Sequence, residues 1–218
     1  MPSTTGTAPS GRAPGPAASE QARHRADDIL FGERGSRVYA LLTPRLLRGV
    51  YRRIAEDVAD AAPTGGRLLD VGTGPGTMLD AIARYRPDLE LRGADPSPGM
   101  VAEAGRRLGP LGAGARVLLG SSEELPFPDA SFDTVLSTFS LHHWGDPAAA
   151  VPELHRVLRP GGRLVVYDVP QAPFRILART AEDQGLFTGD TARSTLIRTP
   201  NPIAPAVVRF VRTATPLD

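Results

Sequence analysis

One stretch limits the folds open to this chain more than any other: Leu68-Leu69-Asp70-Val71-Gly72-Thr73-Gly74-Pro75-Gly76-Thr77. An apolar run enters an acidic residue, meets three glycines spaced two apart, and leaves into an amphipathic segment, Thr77–Tyr85. That order reads as strand, tight turn and helix, the opening of an α/β unit. Glycine at 72 and 74 removes side chains that would hold a ligand off the backbone, and glycine at 76 allows close packing of the next helix. The helix N-terminus is aimed at the same place.

The same alternation continues downstream. Arg67–Val71, Leu89–Ala94, Ala115–Leu119, Phe132–Ser137 and Arg163–Asp168 read as strands one to five. Between them, Thr77–Tyr85, Pro98–Leu108 and Pro147–Leu158 read as helices. The expected fold class is α/β, a Rossmann-like doubly wound parallel sheet with helices on both faces. The last third changes character. Phe174–Gln184 reads as a helix, while Thr195–Thr199 and Val207–Thr213 read as two strands close in sequence, which pair most simply as an antiparallel edge.

Three segments are expected. Residues 1–19, rich in Pro, Ser, Thr, Gly and Ala, read as a disordered leader. Residues 20–62 read as an N-terminal helical lid, because Val38, Leu41, Leu42, Leu46, Leu47, Val50, Tyr51 and Ile54 recur at steps of three and four. Pro44 suits the first turn of its longer helix. Residues 63–218 read as the ligand-binding domain. A chain of 218 residues can build a core of ordinary size.

Charge and composition narrow the partners. Twenty-five basic against 24 acidic residues give a net charge of +1, which is no electrostatic footprint for nucleic acid. All the basic residues are arginine, in keeping with a GC-rich coding bias that also favours Ala, Gly and Pro. Cysteine is absent, which removes disulfides, thiolate metal sites and cysteine nucleophiles. No metal site is expected. No apolar run reaches a membrane span, and a soluble, cytoplasmic protein is the expectation.

A second acidic residue, Asp95, follows strand two, where a carboxylate could accept both hydroxyls of a ribose. Ser97 can cap the helix that begins at Pro98, which leaves Asp95 free for that task. Together with the glycine loop this points to an adenosine-containing cofactor. The dinucleotide spacing G-x-G-x-x-G would need glycine at 77, where the chain has Thr77. A carboxylate at Asp70 suits a cationic ammonium group better than a pyrophosphate.

At this point a family resemblance is plain. Asp70 to Gly76 resembles the first motif of class I S-adenosylmethionine-dependent methyltransferases. Gly93-Ala94-Asp95-Pro96-Ser97-Pro98-Gly99-Met100 resembles the acidic second-strand motif, Gly120 to Asp133 the segment between strands three and four, and His155 to Gly162 the approach to strand five. The four motifs stand in the family's order and are most similar to the small-molecule branch that includes ubiquinone and menaquinone methyltransferases. The resemblance implies strand order 3-2-1-4-5-7-6 and S-adenosylmethionine as cofactor. It also implies site residues: Asp70, Gly72, Thr73, Gly74 and Gly76 around the methionyl and ribose part, and Asp95 on the ribose. Pro96 and Met100 would lie near the adenine, Ser121 and Ser122 near its amine, and Thr138 at the tip of strand four. The usual aspartate at position 121 is a serine here, which removes a charge from the adenine contact.

Methyl transfer from such a cofactor needs alignment of an acceptor and, where the acceptor carries one, removal of a proton. His142 and His143, in Thr138-Phe139-Ser140-Leu141-His142-His143-Trp144, are the candidate general bases; the alternative is that one supports the loop and the other lines a pocket. Phe139 and Trp144 could wall an apolar acceptor or complete the core. Tyr39, Arg45 and Tyr51 are substrate neighbours or packing residues, His24 is undistinguished, and His155 is expected at the surface. The expected partner is a small-molecule methyl acceptor. The rival readings are an RNA or protein methyltransferase and a non-catalytic protein that keeps the cofactor.

Overall fold

The computed structural model of the chain describes residues 47–188, 195–202, 204 and 206–215. The expected leader at 1–19, most of the expected lid, and His24, Tyr39, Pro44 and Arg45 lie outside the described residues. Helix α1 spans Arg48–Ala61, and β1 (Arg67–Val71) leads through the glycine loop into α2 (Thr77–Tyr85). Then come β2 (Glu90–Asp95), α3 (Pro98–Leu108), β3 (Ala115–Leu119), β4 (Phe132–Thr138), α4 (Pro147–Val157) and β5 (Leu158–Asp168). Helix α5 (Phe174–Asp183) precedes β6 (Phe187–Thr188), β7 (Thr195–Arg198) and β8 (Ala206–Ala214).

The sheet runs β3-β2-β1-β4-β5-β8-β6, with β7 also bonded to β8. Strands β1 to β5 pair in parallel, and β8 pairs antiparallel with β5, β6 and β7. The expected strands six and seven are β7 and β8, and the order implied by the resemblance is found. Strand β6 was not anticipated. It holds two residues, Phe187 and Thr188, against Ala214 and Thr213, too short for an alternating pattern to show in sequence.

Both faces of the sheet are covered, so the central strands carry apolar residues on successive positions. Leu69 and Val71 of β1, Val135 of β4 and Leu164 and Val166 of β5 pack with Leu154 of α4 and Leu177 of α5. Leu68, Leu136, Val165 and Tyr167 point the other way, into a second core with Ile54 and Val58 of α1, Leu79 and Ile82 of α2 and Leu108 of α3. Val50, Ile54 and Val58 are all buried. At roughly 1.5–3 kcal/mol for each such side chain, their burial is enough to hold α1 to the sheet. An ionic clasp adds to it: Arg209 Nε of β8 donates to Asp57 of α1 at 2.7 Å and to the Tyr167 hydroxyl at 3.0 Å, and that hydroxyl donates to the same carboxylate.

Helix starts follow their caps. Ser97 Oγ accepts the Met100 N–H at 3.3 Å with Pro98 in the first turn, and Asp146 caps α4 through the Ala148 and Ala149 N–H groups. Strand β5 begins at Leu158, earlier than the expected Arg163, because Leu158 pairs with Phe132 before the Pro160-Gly161-Gly162 bulge restores the register at Arg163. His155 corrects the expectation of a surface residue. It is buried on α4, its Nε2 lies 3.1 Å from Thr215 Oγ1, and its ring meets Phe187 edge-on at 5.2 Å. The unforeseen β6 supplies the cover, and burial holds the imidazole below its ordinary pKa.

Candidate active site

From β1 the chain winds outward in both directions, to β2 and β3 on one side and to β4 and β5 on the other. The crevice at such a reversal, beyond the carboxyl ends of the strands, is where doubly wound sheets take ligands. A cavity of about 610 Å3 lies there. Its wall is made by Val71, Gly72 and Gly74 at the end of β1, Asp95 to Pro98 and Met100 at the end of β2, Ser121 to Glu123 after β3, and Phe139, Ser140, His143, Trp144 and Gly145 after β4.

The loop after β1 is shaped by its neighbours. Gly72 and Thr73 donate their N–H groups to Ala94 O at 2.8 and 3.1 Å, tying the turn to β2. The Gly74 N–H donates to Asp95 Oδ2 at 2.8 Å, and the Ser97 N–H to Asp95 Oδ1 at 3.0 Å. Asp95 therefore braces the loop as well as facing the cavity, a second duty that the sequence reading did not foresee. Each carboxylate oxygen keeps a further lone pair for a ligand hydroxyl. Burial raises the Asp95 pKa, opposed by its two backbone bonds. Gly76 has its expected packing role, but against Ala104 and Leu108 of α3, which a Cβ there would crowd.

Asp70 stands behind the loop, off the cavity wall. Thr73 Oγ1 donates to its Oδ2 at 2.8 Å, and Oδ1 is buried with no hydrogen-bond partner among the described residues. Burial pushes the carboxyl up from 3.8 to about 7, against the Thr73 bond and with help from the Asp95 charge. Between those two values the folded chain holds a proton that the unfolded chain has released, so folding stability falls as pH rises through this window. The span corresponds to on the order of 4 kcal/mol. Asp70→Asn is therefore expected to match the wild type in urea denaturation near pH 4 and to exceed its stability at pH 8. Equal stability at both pH values would show that the carboxyl ionises without cost.

The segment after β4 supplies the opposite wall. Phe139 takes a left-handed conformation, φ 52°, uncommon for an aromatic residue and costly by about 1–3 kcal/mol. Its ring meets Tyr51 of α1 at 5.9 Å, so Tyr51 packs beside the cavity wall. Trp144 Nε1 donates to Ser140 Oγ at 2.8 Å, and that hydroxyl lies where a Cβ on Gly72 would be. His143 faces the cavity. His142 does not line it; its Nδ1 is 2.7 Å from Asp168 Oδ1.

Of the residues named from sequence, the structure brings Gly72, Gly74, Asp95, Pro96, Met100, Ser121, Ser122 and His143 to one wall. Asp70, Thr73, Gly76, Thr138 and His142 lie behind it. Thr138 Oγ1 at the tip of β4 is buried without a partner among the described residues. Sequence reasoning missed Glu123, Ser140 and Asp168. The acidic residue in the Ser121-Ser122-Glu123 loop was a readable signal, whereas the Asp168 contact joins residues 26 positions apart. The donor set suits a nucleoside that carries an ammonium group. A desolvated carboxylate has an unpaired oxygen, a braced carboxylate retains acceptor capacity, and a Cβ on Gly74 would meet open space.

Comparison with known proteins agrees. Residues 69–166 match the family model described as a methyltransferase domain. The demethylmenaquinone methyltransferase of Thermus thermophilus is 40% identical over 148 residues, 66% of each chain. The ubiquinone/menaquinone biosynthesis C-methyltransferase of Geobacter sulfurreducens is 34% identical over 146 residues, 65% of this chain and 57% of its own. The chain thus spans just under two thirds, or less, of the length of these relatives. A Methanococcus maripaludis structure, provisionally described as an S-adenosyl-L-methionine-dependent methyltransferase, superposes with a TM-score of 0.69 at 20% identity over 86% of this chain and 95% of its own. That likeness shows the shared fold. With the matched segment running from the end of β1 through the glycine loop into β5, residues 69–166 of the chain carry the match to the methyltransferase domain, within a fold shared with S-adenosylmethionine-dependent methyltransferases.

Proposed function

We propose that this chain transfers a methyl group from S-adenosylmethionine, in line, to a small organic acceptor, and that a reduced demethylated quinone is the acceptor class. The observation that carries the reading is the cavity at the strand reversal, walled by a side-chain-free loop and braced by Asp95. The names of the relatives support the acceptor class.

When bound, the cofactor supplies a methyl group already activated by a positively charged sulfur. The chain's own residues supply place and surroundings. Asp70 faces the ammonium end from behind the loop, where a cation would relieve its unpaired oxygen. Gly72 and Gly74 form the bed for the methionyl and ribose part, with Thr73 holding Asp70 behind them, and Asp95 accepts from the ribose hydroxyls. Pro96 and Met100 give an apolar surface for the adenine, with Ser121 and Ser122 at its amine edge. Phe139 and Trp144 exclude water on the acceptor side, and His143 is the ring placed to meet the acceptor's proton. Alignment of this kind supplies up to roughly 7–11 kcal/mol in ideal cases.

Calorimetric titration with S-adenosylmethionine, S-adenosylhomocysteine and NAD separates the readings. Saturable binding of the first two and none of NAD is expected; tighter binding of NAD would overturn the assignment. Incubation with S-adenosylmethionine and a short-chain demethylmenaquinol is then expected to release S-adenosylhomocysteine. Release with an RNA or peptide acceptor instead would replace the acceptor class. Binding without turnover on a broad acceptor panel would favour a non-catalytic role. Among the described residues, no helix is long and apolar enough to cross a membrane.

A further inference from the structure

Behind the acceptor side of the cavity sits a carboxylate to which the mechanism above gives no role. Asp168, the last residue of β5, is wholly buried. Its Oδ1 accepts the Val169 N–H at 2.7 Å, and its Oδ2 accepts the His142 N–H at 3.2 Å. The His142 Nδ1 lies 2.7 Å from Oδ1. Both carboxylate oxygens act as acceptors toward backbone N–H groups, so Nδ1 is the donor of the third bond. His142 is thereby held as the Nδ1–H tautomer with its ring plane fixed. Its ring centroid lies 4.0 Å from that of His143, at a tilt of 44°. The spatial order is Asp168, His142, His143, cavity.

We infer that Asp168 is a positioning residue for the acceptor half of the site: it fixes the ring of His142, and that ring is the platform on which His143 is held at the cavity wall. The inference rests on the methyl-transfer reading and deepens it. As the acceptor's electron pair forms the new bond to the methyl carbon, the carbon–sulfur pair stays with sulfur and the acceptor's proton passes to a ring nitrogen of His143. The imidazolium so formed lies against the His142 ring and in the field of the Asp168 carboxylate, which a buried setting leaves poorly screened. The proton then returns to water. A platform built from two rings and a buried carboxylate keeps that nitrogen in place with little freedom to lose on reaction.

The test uses the full chain with 15N- and 13C-labelled histidine, read by NMR, with S-adenosylhomocysteine affinity as control. In the wild type His142 is expected as a single Nδ1–H tautomer. In Asp168→Ala its two ring nitrogens should average between tautomers and the His143 ring signals should shift, while S-adenosylhomocysteine affinity stays within about twofold. Asp168→Asn, whose amide oxygen can take the place of Oδ1, should restore the tautomer. Should Asp168→Ala fail to fold, His142→Phe and His142→Ala decide. Phenylalanine keeps a platform and should leave the His143 ring signals near those of the wild type, and alanine should move them. Turnover of a short-chain demethylmenaquinol should fall at least tenfold in kcat for His142→Ala, with KM little changed, and recover in part in His142→Phe. A fixed tautomer in Asp168→Ala, or equal displacement of His143 in the phenylalanine and alanine variants, would overturn the inference. No binding of S-adenosylhomocysteine by the wild type would instead defeat the methyl-transfer reading and leave the ring geometry standing.

Discussion

Asp95→Ala is expected to weaken S-adenosylhomocysteine binding by about ten- to more than a hundredfold, the equivalent of roughly 1.5–3 kcal/mol for a charge-assisted contact. The structure gives two reasons that act together. The carboxylate faces the cavity as an acceptor, and it holds the Gly74 and Ser97 N–H groups at 2.8 and 3.0 Å. Removing it deletes the ligand contact and releases the loop that shapes the bed. Losing the two braces is also expected to cost roughly 1–3 kcal/mol of stability, because Gly74 N–H is left without its acceptor. The sheet's two cores do not include Asp95, so the variant should remain folded. Asp95→Asn keeps one acceptor oxygen and should fall between the two. Calorimetry of all three proteins beside their thermal melts gives the answer, and unchanged affinity in Asp95→Ala would remove the ribose assignment.

What could be read from the sequence, and what could not, divides along the range of the interaction. Strands β1 and β4 announce themselves because apolar residues fill successive positions, and both cores of the sheet use them: Leu69 and Val135 on one face, Leu68 and Leu136 on the other. The boundaries of α2 and α3 follow from local chemistry, the glycine loop before Thr77 and the Ser97 cap before Pro98. The duties of Asp95 and Asp168 depend on partners far along the chain, Gly74 and His142, and no local pattern encodes such a pairing. His155 shows the same limit. Its position near the end of α4 suggests exposure, and only the return of the chain through β6 and Thr215 covers it. The paired histidines were legible as a candidate constellation. That one faces the cavity and the other faces a buried carboxylate depends on how the turn after β4 meets the end of β5.

The two glycines that line the cavity should respond to the same substitution in opposite ways. Gly72 has φ 70° and Gly74 has φ 55°, both in the left-handed region, so alanine at either costs roughly 1–2 kcal/mol in backbone strain. Their surroundings differ. A Cβ on Gly72 would overlap the hydroxyl of Ser140, which accepts the Trp144 indole N–H and cannot yield without moving the wall after β4. Overpacking of that kind adds about 1–3 kcal/mol. Gly72→Ala should therefore lose roughly 2–5 kcal/mol in all, a drop in Tm on the order of 5–15 °C for a chain of this size. A Cβ on Gly74 meets nothing within 4 Å, and the residue lines the cavity, so the added methyl group stands in space that the ligand would use. Gly74→Ala should melt only a few degrees below the wild type, yet bind S-adenosylhomocysteine at least tenfold more weakly. Gly72→Ala combined with Ser140→Ala, which removes the overlapping hydroxyl, should recover part of the lost stability. Wild-type affinity in Gly74→Ala would mean that the ligand does not lie against this loop, and the cavity would then have to be assigned to something other than a nucleoside.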